Sequence, residues 1–132
     1  MNCTQPTKGK IMIADDHDDS RMMLAFLLES EGWQITEASN GKEALEKVLQ
    51  EQPHVLVLDN RMPEITGTQL YQILREQGIS TPVVLITAFG DLNELAASFG
   101  IRYYLPKPID FERVVAVIES AYADYQKLSD KA

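Results

Sequence analysis

Three short runs in this chain are apolar from end to end: Ile11-Met12-Ile13-Ala14, Val55-Leu56-Val57-Leu58 and Val83-Val84-Leu85-Ile86. A strand wetted on one side alternates apolar and polar residues, whereas a strand without a polar face must be covered on both sides. Such strands belong to the middle of a parallel sheet packed between helices. Each run also stops on polar residues: Asp15-Asp16, Asp59 and Thr87.

The intervening segments carry helical spacing. From Ser20 to Glu31, the positions of Met23, Leu24, Leu27 and Leu28 predict a helix with one buried stripe, capped by Asp18 or Asp19 and ended by Gly32. Ala44, Leu45, Val48 and Leu49 stripe a second helix between the Asn40-Gly41 turn and Pro53. Leu70, Ile73 and Leu74 mark a third, closed near Gly78, and a short fourth runs from about Asp91 to Phe99. The last helix carries Val114, Val115, Ile118 and Tyr122 on one face and continues to about Leu128. Two further strands, Trp33 to Glu37 and Ile101 to Leu105, mix polar and apolar residues as sheet edges do.

Strict alternation of strand and helix predicts a doubly wound α/β fold, a five-stranded parallel sheet with five helices on both faces. Apolar strands 1, 3 and 4 belong at the centre and mixed strands 2 and 5 at the edges. The order 2-1-3-4-5, the flavodoxin-like arrangement, satisfies this and puts a ligand crevice at the carboxyl ends of strands 1 and 3. The expected organisation is a flexible leader over residues 1–9, one domain over 10–128 and a tail over 129–132.

Twenty acidic residues against twelve basic ones give a net charge of −8, which argues against nucleic acid gripped by this domain alone. A single cysteine, Cys3, allows no internal disulfide. No run is long enough to span a membrane, and the first residues lack the apolar core of a signal peptide. The expected location is cytoplasmic.

On this fold Asp15, Asp16, Asp59, Thr87 and Lys107 meet at one sheet edge. Each has a bland reading alone: paired aspartates cap helices, a strand-end Asp or Thr binds loop backbone, and a lysine before proline is solvated. Five suitable residues from four strands at one crevice favour a shared site. Packed carboxylates repel unless a cation intervenes, and an all-oxygen set suits Mg²⁺ rather than zinc. A carboxylate beside a metal, a lysine and a hydroxyl is equipped to attack a phosphoryl group.

Over about residues 10 to 125 the chain resembles the receiver domain of two-component response regulators. The resemblance rests on Asp15-Asp16, Asp59 with Met62-Pro63 and Gly67, Thr87-Ala88, Tyr104 and Lys107-Pro108. It implies that Asp59 takes a phosphoryl group from a histidine kinase or a histidine phosphotransfer protein. Asp16, Asp59 and the Arg61 backbone carbonyl would bind Mg²⁺ directly, with Asp15 acting through water. Lys107 would pair with phosphoryl oxygens, the Lys107-Pro108 bond would be cis, Thr87 would swing toward the phosphate, and Tyr104 would rotate inward with it. A downstream protein would read the face formed by the fourth helix, strand 5 and the last helix. Thr87 and Lys107 stand 20 residues apart, shorter than usual for the family, which implies a trimmed fourth helix or loop. Arg61 and Phe89 are expected to flank the hydrolytic water and set phosphoryl lifetime. Two rivals remain at this point: a phosphatase or phosphotransferase acting on outside substrates, and a receiver-like module that binds partners without being phosphorylated.

Overall fold

The computed structural model describes residues 8–62, 64–88, 100–107 and 109–130. Its strands are β1 (Lys10–Ala14), β2 (Gln34–Ala38), β3 (Val55–Asp59), β4 (Val83–Ala88) and β5 (Tyr103–Lys107), all paired parallel in the order β2-β1-β3-β4-β5. The expected sheet is the observed one. Among the described residues there are four helices: α1 (Asp18–Ser30), α2 (Gly41–Glu51), α3 (Gly67–Glu76) and α4 (Phe111–Asp130). The short helix expected from Asp91 to Phe99 lies outside the described residues.

Strand alternation divides the core in two. Ile11, Ile13, Val55, Val57, Val84 and Ile86 pack beneath α1 and α4, against Leu24, Leu28, Val114 and Ile118. Met12, Leu56, Leu58 and Leu85 turn to the opposite face, against Ala44 and Val48 of α2 and Leu70 and Leu74 of α3. Both faces of the three central strands are therefore buried, which is why those runs tolerate no polar residue. By the same alternation Asp59 and Lys107 share the α1/α4 side, while Thr87 has the parity of the other.

Several local expectations need correction. α1 begins at Asp18, after His17 as its N-cap, so neither Asp18 nor Asp19 is the cap; both sit in the first turn, where their negative charge is favourable at the positive end of the helix dipole. Its buried stripe is Leu24, Ala25 and Leu28, and Met23 is 62% exposed. A 3.6-residue period fixes which positions share a face but leaves the edges of that face to the packing. Leu49 of α2 is likewise exposed. Asn40 does more than turn the chain: its side chain accepts the Glu43 N–H at 2.8 Å as the N-cap of α2. β5 lies two residues later than expected and runs through Pro106, a residue that an edge strand accommodates. Lys8 and Gly9, assigned to the leader, are hydrogen-bonded to the sheet edge. The Lys8 N–H donates to Gly32 O at 2.9 Å, and Gly9 O accepts the Gln34 N–H at 2.9 Å. α4 reaches Asp130, past the expected boundary at 128.

Candidate functional site

The carboxyl ends of β1, β3 and β5 bring their polar residues together. Asp59 closes β3 and is 4% exposed; Asp15 follows β1 and is 7% exposed; Asp16 beside it is exposed to solvent. One carboxylate oxygen from each of the three lies within 4.8 Å of the others. Lys107, the last residue of β5, places Nζ 2.9 Å from Asp59 Oδ2. The other Asp59 oxygen, Oδ1, accepts the Arg61 N–H at 3.2 Å. Both oxygens of this buried carboxylate are thus oriented, one by an ammonium and one by backbone.

Turns on both sides hold the acids in place. Asp15 N–H donates to Ala38 O at 3.1 Å, and Asp15 Oδ1 accepts the His17 N–H at 2.9 Å. After β3, Asn60 N–H bonds Ile86 O at 2.9 Å, and its side-chain oxygen accepts the Thr68 N–H at 3.1 Å. A capping box of Thr66 and Gln69 starts α3. It sets Gly67 so close to β3 that an added Cβ would stand 2.9 Å from Asp59 O and 3.0 Å from Asn60 Cα. The glycine singled out in the sequence is therefore required by close approach of two backbones.

Electrostatics at this edge are unfavourable without a partner. Burial pushes the Asp15 carboxyl above the ordinary carboxylate range, opposed by the His17 amide and reinforced by the neighbouring Asp59 charge. Two unit charges at this spacing repel by about 3 to 4 kcal/mol at an effective dielectric of ~20. Lys107 offsets one charge, and the three carboxylates with one ammonium leave two negative charges, matched by a divalent cation. All the donors are hard oxygens. Oxygens within 4.8 Å of one another could share a hard divalent cation.

Thr87 is 1% exposed near the end of β4, in register with Pro106, and Ala88 pairs with Lys107. Tyr104, in register with Leu85, is exposed on the edge strand. The Arg61 side chain is exposed as well. Phe89, Pro63 and Pro108, and with Pro108 the expected cis bond, lie outside the described residues.

Sequence reading missed Arg21. Its side chain is nearly buried: Nη1 donates to Asp15 O at 2.7 Å, Nε to Glu37 Oε1 at 3.0 Å, and Nη2 lies 2.7 Å from Asp18 Oδ1. On a helix whose other polar residues face water, a lone arginine carried no signal; only tertiary structure brings Glu37 of β2 beneath it.

Residues 11–119 match the response regulator receiver domain family. The chain is 34% identical over 122 residues to the Escherichia coli K12 DNA-binding transcriptional regulator NtrC, covering 91% of this chain and 26% of that protein. It is 36% identical over 113 residues to an uncharacterised 14.6 kDa protein of Leptolyngbya boryana, covering 83% of this chain and 86% of that one. The receiver domain of Francisella response regulator 1452 matches with a TM-score of 0.83 at 31% identity, over 89% of this chain and 98% of that domain. This chain belongs to the response regulator receiver domain family, whose members are phosphorylation-activated switches of two-component signalling. No described helix is long and apolar enough to cross a membrane.

Proposed function

We propose that Asp59 is the phosphoacceptor of this switch. The observation that carries the reading is the buried Asp59 carboxylate, paired with Lys107 at 2.9 Å and grouped with Asp15 and Asp16 within 4.8 Å. Mg²⁺ would be the cofactor: Asp16, Asp59 and the Arg61 carbonyl would hold it, with Asp15 acting through water. Once bound, it would neutralise charge on the transferring phosphoryl oxygens. One Asp59 oxygen attacks the phosphorus of a phosphohistidine. The O–P bond forms as the donor N–P bond breaks, and the imidazole leaves with the electron pair and takes a proton from solvent. The Lys107 ammonium, already on Asp59, is within reach of the new phosphoryl group.

The product carries more negative charge and three strong acceptors where a carboxylate stood. Thr87 closes on those acceptors, Tyr104 follows inward, and the downstream protein reads the change on the face built around β5 and α4. Reversing a 99:1 inactive excess takes about 5.5 kcal/mol of differential stabilisation, within the range of a few charge-assisted hydrogen bonds. Arg61, with Phe89, shapes the lifetime of the modified state. The receiver domain acts as one unit, in the cytoplasm.

The donor, a histidine kinase or phosphotransfer protein, approaches over α1. A groove of ≈ 280 Å³ opens beside the acids, with Asp15 and Lys107 in its wall and Met23, Leu27, Ile109 and Phe111 among its apolar lining. Phe26 of the same helix is 68% exposed. Apolar side chains left in water next to a reactive centre suit a partner that must bring its histidine to Asp59.

Acetyl phosphate with Mg²⁺, read on a phosphate-affinity gel or by intact mass, tests the proposal. The wild type is expected to gain one phosphoryl group and Asp59→Asn none. Retention of the modification in Asp59→Asn would move the acceptor elsewhere. A wild type that neither takes up phosphate nor responds to beryllofluoride would instead favour a module that binds partners unmodified.

A further inference from the structure

We propose that Arg21 is a positioning residue for the acidic site: by gripping the Asp15 backbone carbonyl it fixes the peptide plane between Asp15 and Asp16, and so where both carboxylates stand. This inference rests on the reading that those carboxylates receive a divalent cation. The guanidinium has three partners on three elements. Nη1 holds Asp15 O just beyond β1 at 2.7 Å, Nε holds Glu37 of β2 at 3.0 Å, and Nη2 holds Asp18 in the first turn of α1 at 2.7 Å. Only a planar, many-donor group can make these contacts together; an ammonium is a point donor.

The contact with Asp15 is the informative one. The peptide joining Asp15 to Asp16 has its carbonyl pinned by Arg21. The residue before that peptide is fixed from two other sides, by Asp15 N–H on Ala38 O and by the Asp15 carboxylate on the His17 N–H. With all three in place the backbone of Asp15 has little freedom, and Asp16 inherits its direction from it. Arg21 does this without serving as counter-charge to the acids, because its own carboxylate partners are Asp18 and Glu37, outside the cluster. Both reach solvent, so those ion pairs contribute little stability by themselves. Lys107 is the contrasting case, a cation placed on Asp59 directly.

The test compares Arg21→Met, Arg21→Lys and Glu37→Gln with the wild type by two-dimensional amide NMR, first without metal and then titrated with Mg²⁺. Arg21→Met is expected to speed amide exchange at Asp16 and His17 and to weaken Mg²⁺ binding by about 10-fold, the scale on which lost support of metal ligands is felt. Arg21→Lys, which preserves the charge if the methionine variant fails to fold, is expected to fall between. Glu37→Gln breaks an ion pair of the same arginine but spares the Asp15 carbonyl, and its Mg²⁺ affinity should stay within about twofold of wild type. Wild-type Mg²⁺ affinity in both Arg21 variants would overturn the proposal. So would a loss in Glu37→Gln equal to that in Arg21→Met, since the arginine would then act only as a structural tie. If the wild type itself binds no Mg²⁺, the cation reading fails, while metal-free exchange at Asp16 and His17 still decides whether Arg21 holds the turn.

Discussion

The two ends of the sheet are built from the same strands and follow opposite rules. At the carboxyl end, β1, β3 and β5 deliver Asp15, Asp59 and Lys107 into buried or half-buried positions, where like charges crowd and the one ammonium pairs with Asp59. At the amino end, rings fill the space. Trp33 meets Tyr122 edge-on at 5.2 Å, and His54 lies 4.7 Å from Tyr125 and 5.6 Å from Tyr122. The polar atoms of His54 there are matched with backbone: its N–H donates to Lys10 O at 2.9 Å, and its Nδ1 accepts the Lys10 N–H at 3.0 Å. One end packs rings against one another; the other crowds like charges. The crowded charge at the carboxyl end is what the proposed cation and phosphoryl group would act on.

Glycine packing gives the sharpest way to break that comparison, because each end contains a glycine with no room for a side chain. A Cβ on Gly67 would meet the Asp59 carbonyl at 2.9 Å and Asn60 Cα at 3.0 Å, both backbone atoms of the site strand. On Gly9 it would meet the Tyr122 ring at 2.8 Å and the His54 ring at 3.0 Å, both side chains that can shift. Gly67→Ala is expected to cost about 2 to 3 kcal/mol in urea denaturation and to slow phosphoryl uptake, because Asp59 moves with its carbonyl. Gly9→Ala should cost less, roughly 1 kcal/mol, with uptake from acetyl phosphate unchanged. Equal slowing by the two would mean that the ends are mechanically coupled and that the contrast is wrong.

A smaller effect of opposite sign is expected from Asp15→Asn. Asparagine retains an oxygen to accept the His17 N–H but removes one of the crowded charges. Without metal the variant should be more stable than wild type by about 1 kcal/mol, while added Mg²⁺ should stabilise it less. Thermal melts with and without Mg²⁺ measure both. A metal-free loss of stability would show that the Asp15 charge is already satisfied within the protein.

The fold was legible because burial on two faces leaves an unmistakable mark, a run without polar residues, and because mixed strands can only stand at edges. Asp59, Asp15, Asp16 and Lys107 were legible for a related reason: residues at the ends of such runs must share an edge once the strand order is known. Arg21 was hidden, since the i,i+3 spacing on α1 announces only Asp18, while Asp15 O and Glu37 come to it from other parts of the chain. Met23 misled for a complementary reason. Helical period alone extends the apolar stripe to it, yet the stripe closes at Leu24, Ala25 and Leu28, and Met23 is left on the rim of the groove beside the acids. The amino-end cluster was hidden as well: the aromatic neighbours of His54 come from α4, far along the chain.

The smallest effect lies in acid, where the two ends respond in opposite directions. Burial, with help from the Lys10 charge, holds His54 below its ordinary value of 6.5. The groups facing it are Lys10 from β1 and the Tyr122 and Tyr125 rings from α4. Its Nδ1 must be unprotonated to accept the Lys10 N–H, so the folded state binds that proton less readily than the unfolded chain does. Its contribution is therefore complete above about pH 6.5 and is lost as pH falls from there through the lower folded value. Asp15 runs the other way: its raised value means that the folded state takes up a proton more readily, so acidification through that range relieves the carboxyl end. In metal-free protein, melts compared at pH 8 and pH 5.5 should show wild type losing several tenths of a kcal/mol that His54→Gln does not lose. Asp15→Asn should still lose it, because its substitution leaves the amino end intact. Were His54→Gln to keep the wild-type slope, the acid sensitivity would belong to another group and the amino end would be as indifferent to protons as its aromatic packing suggests.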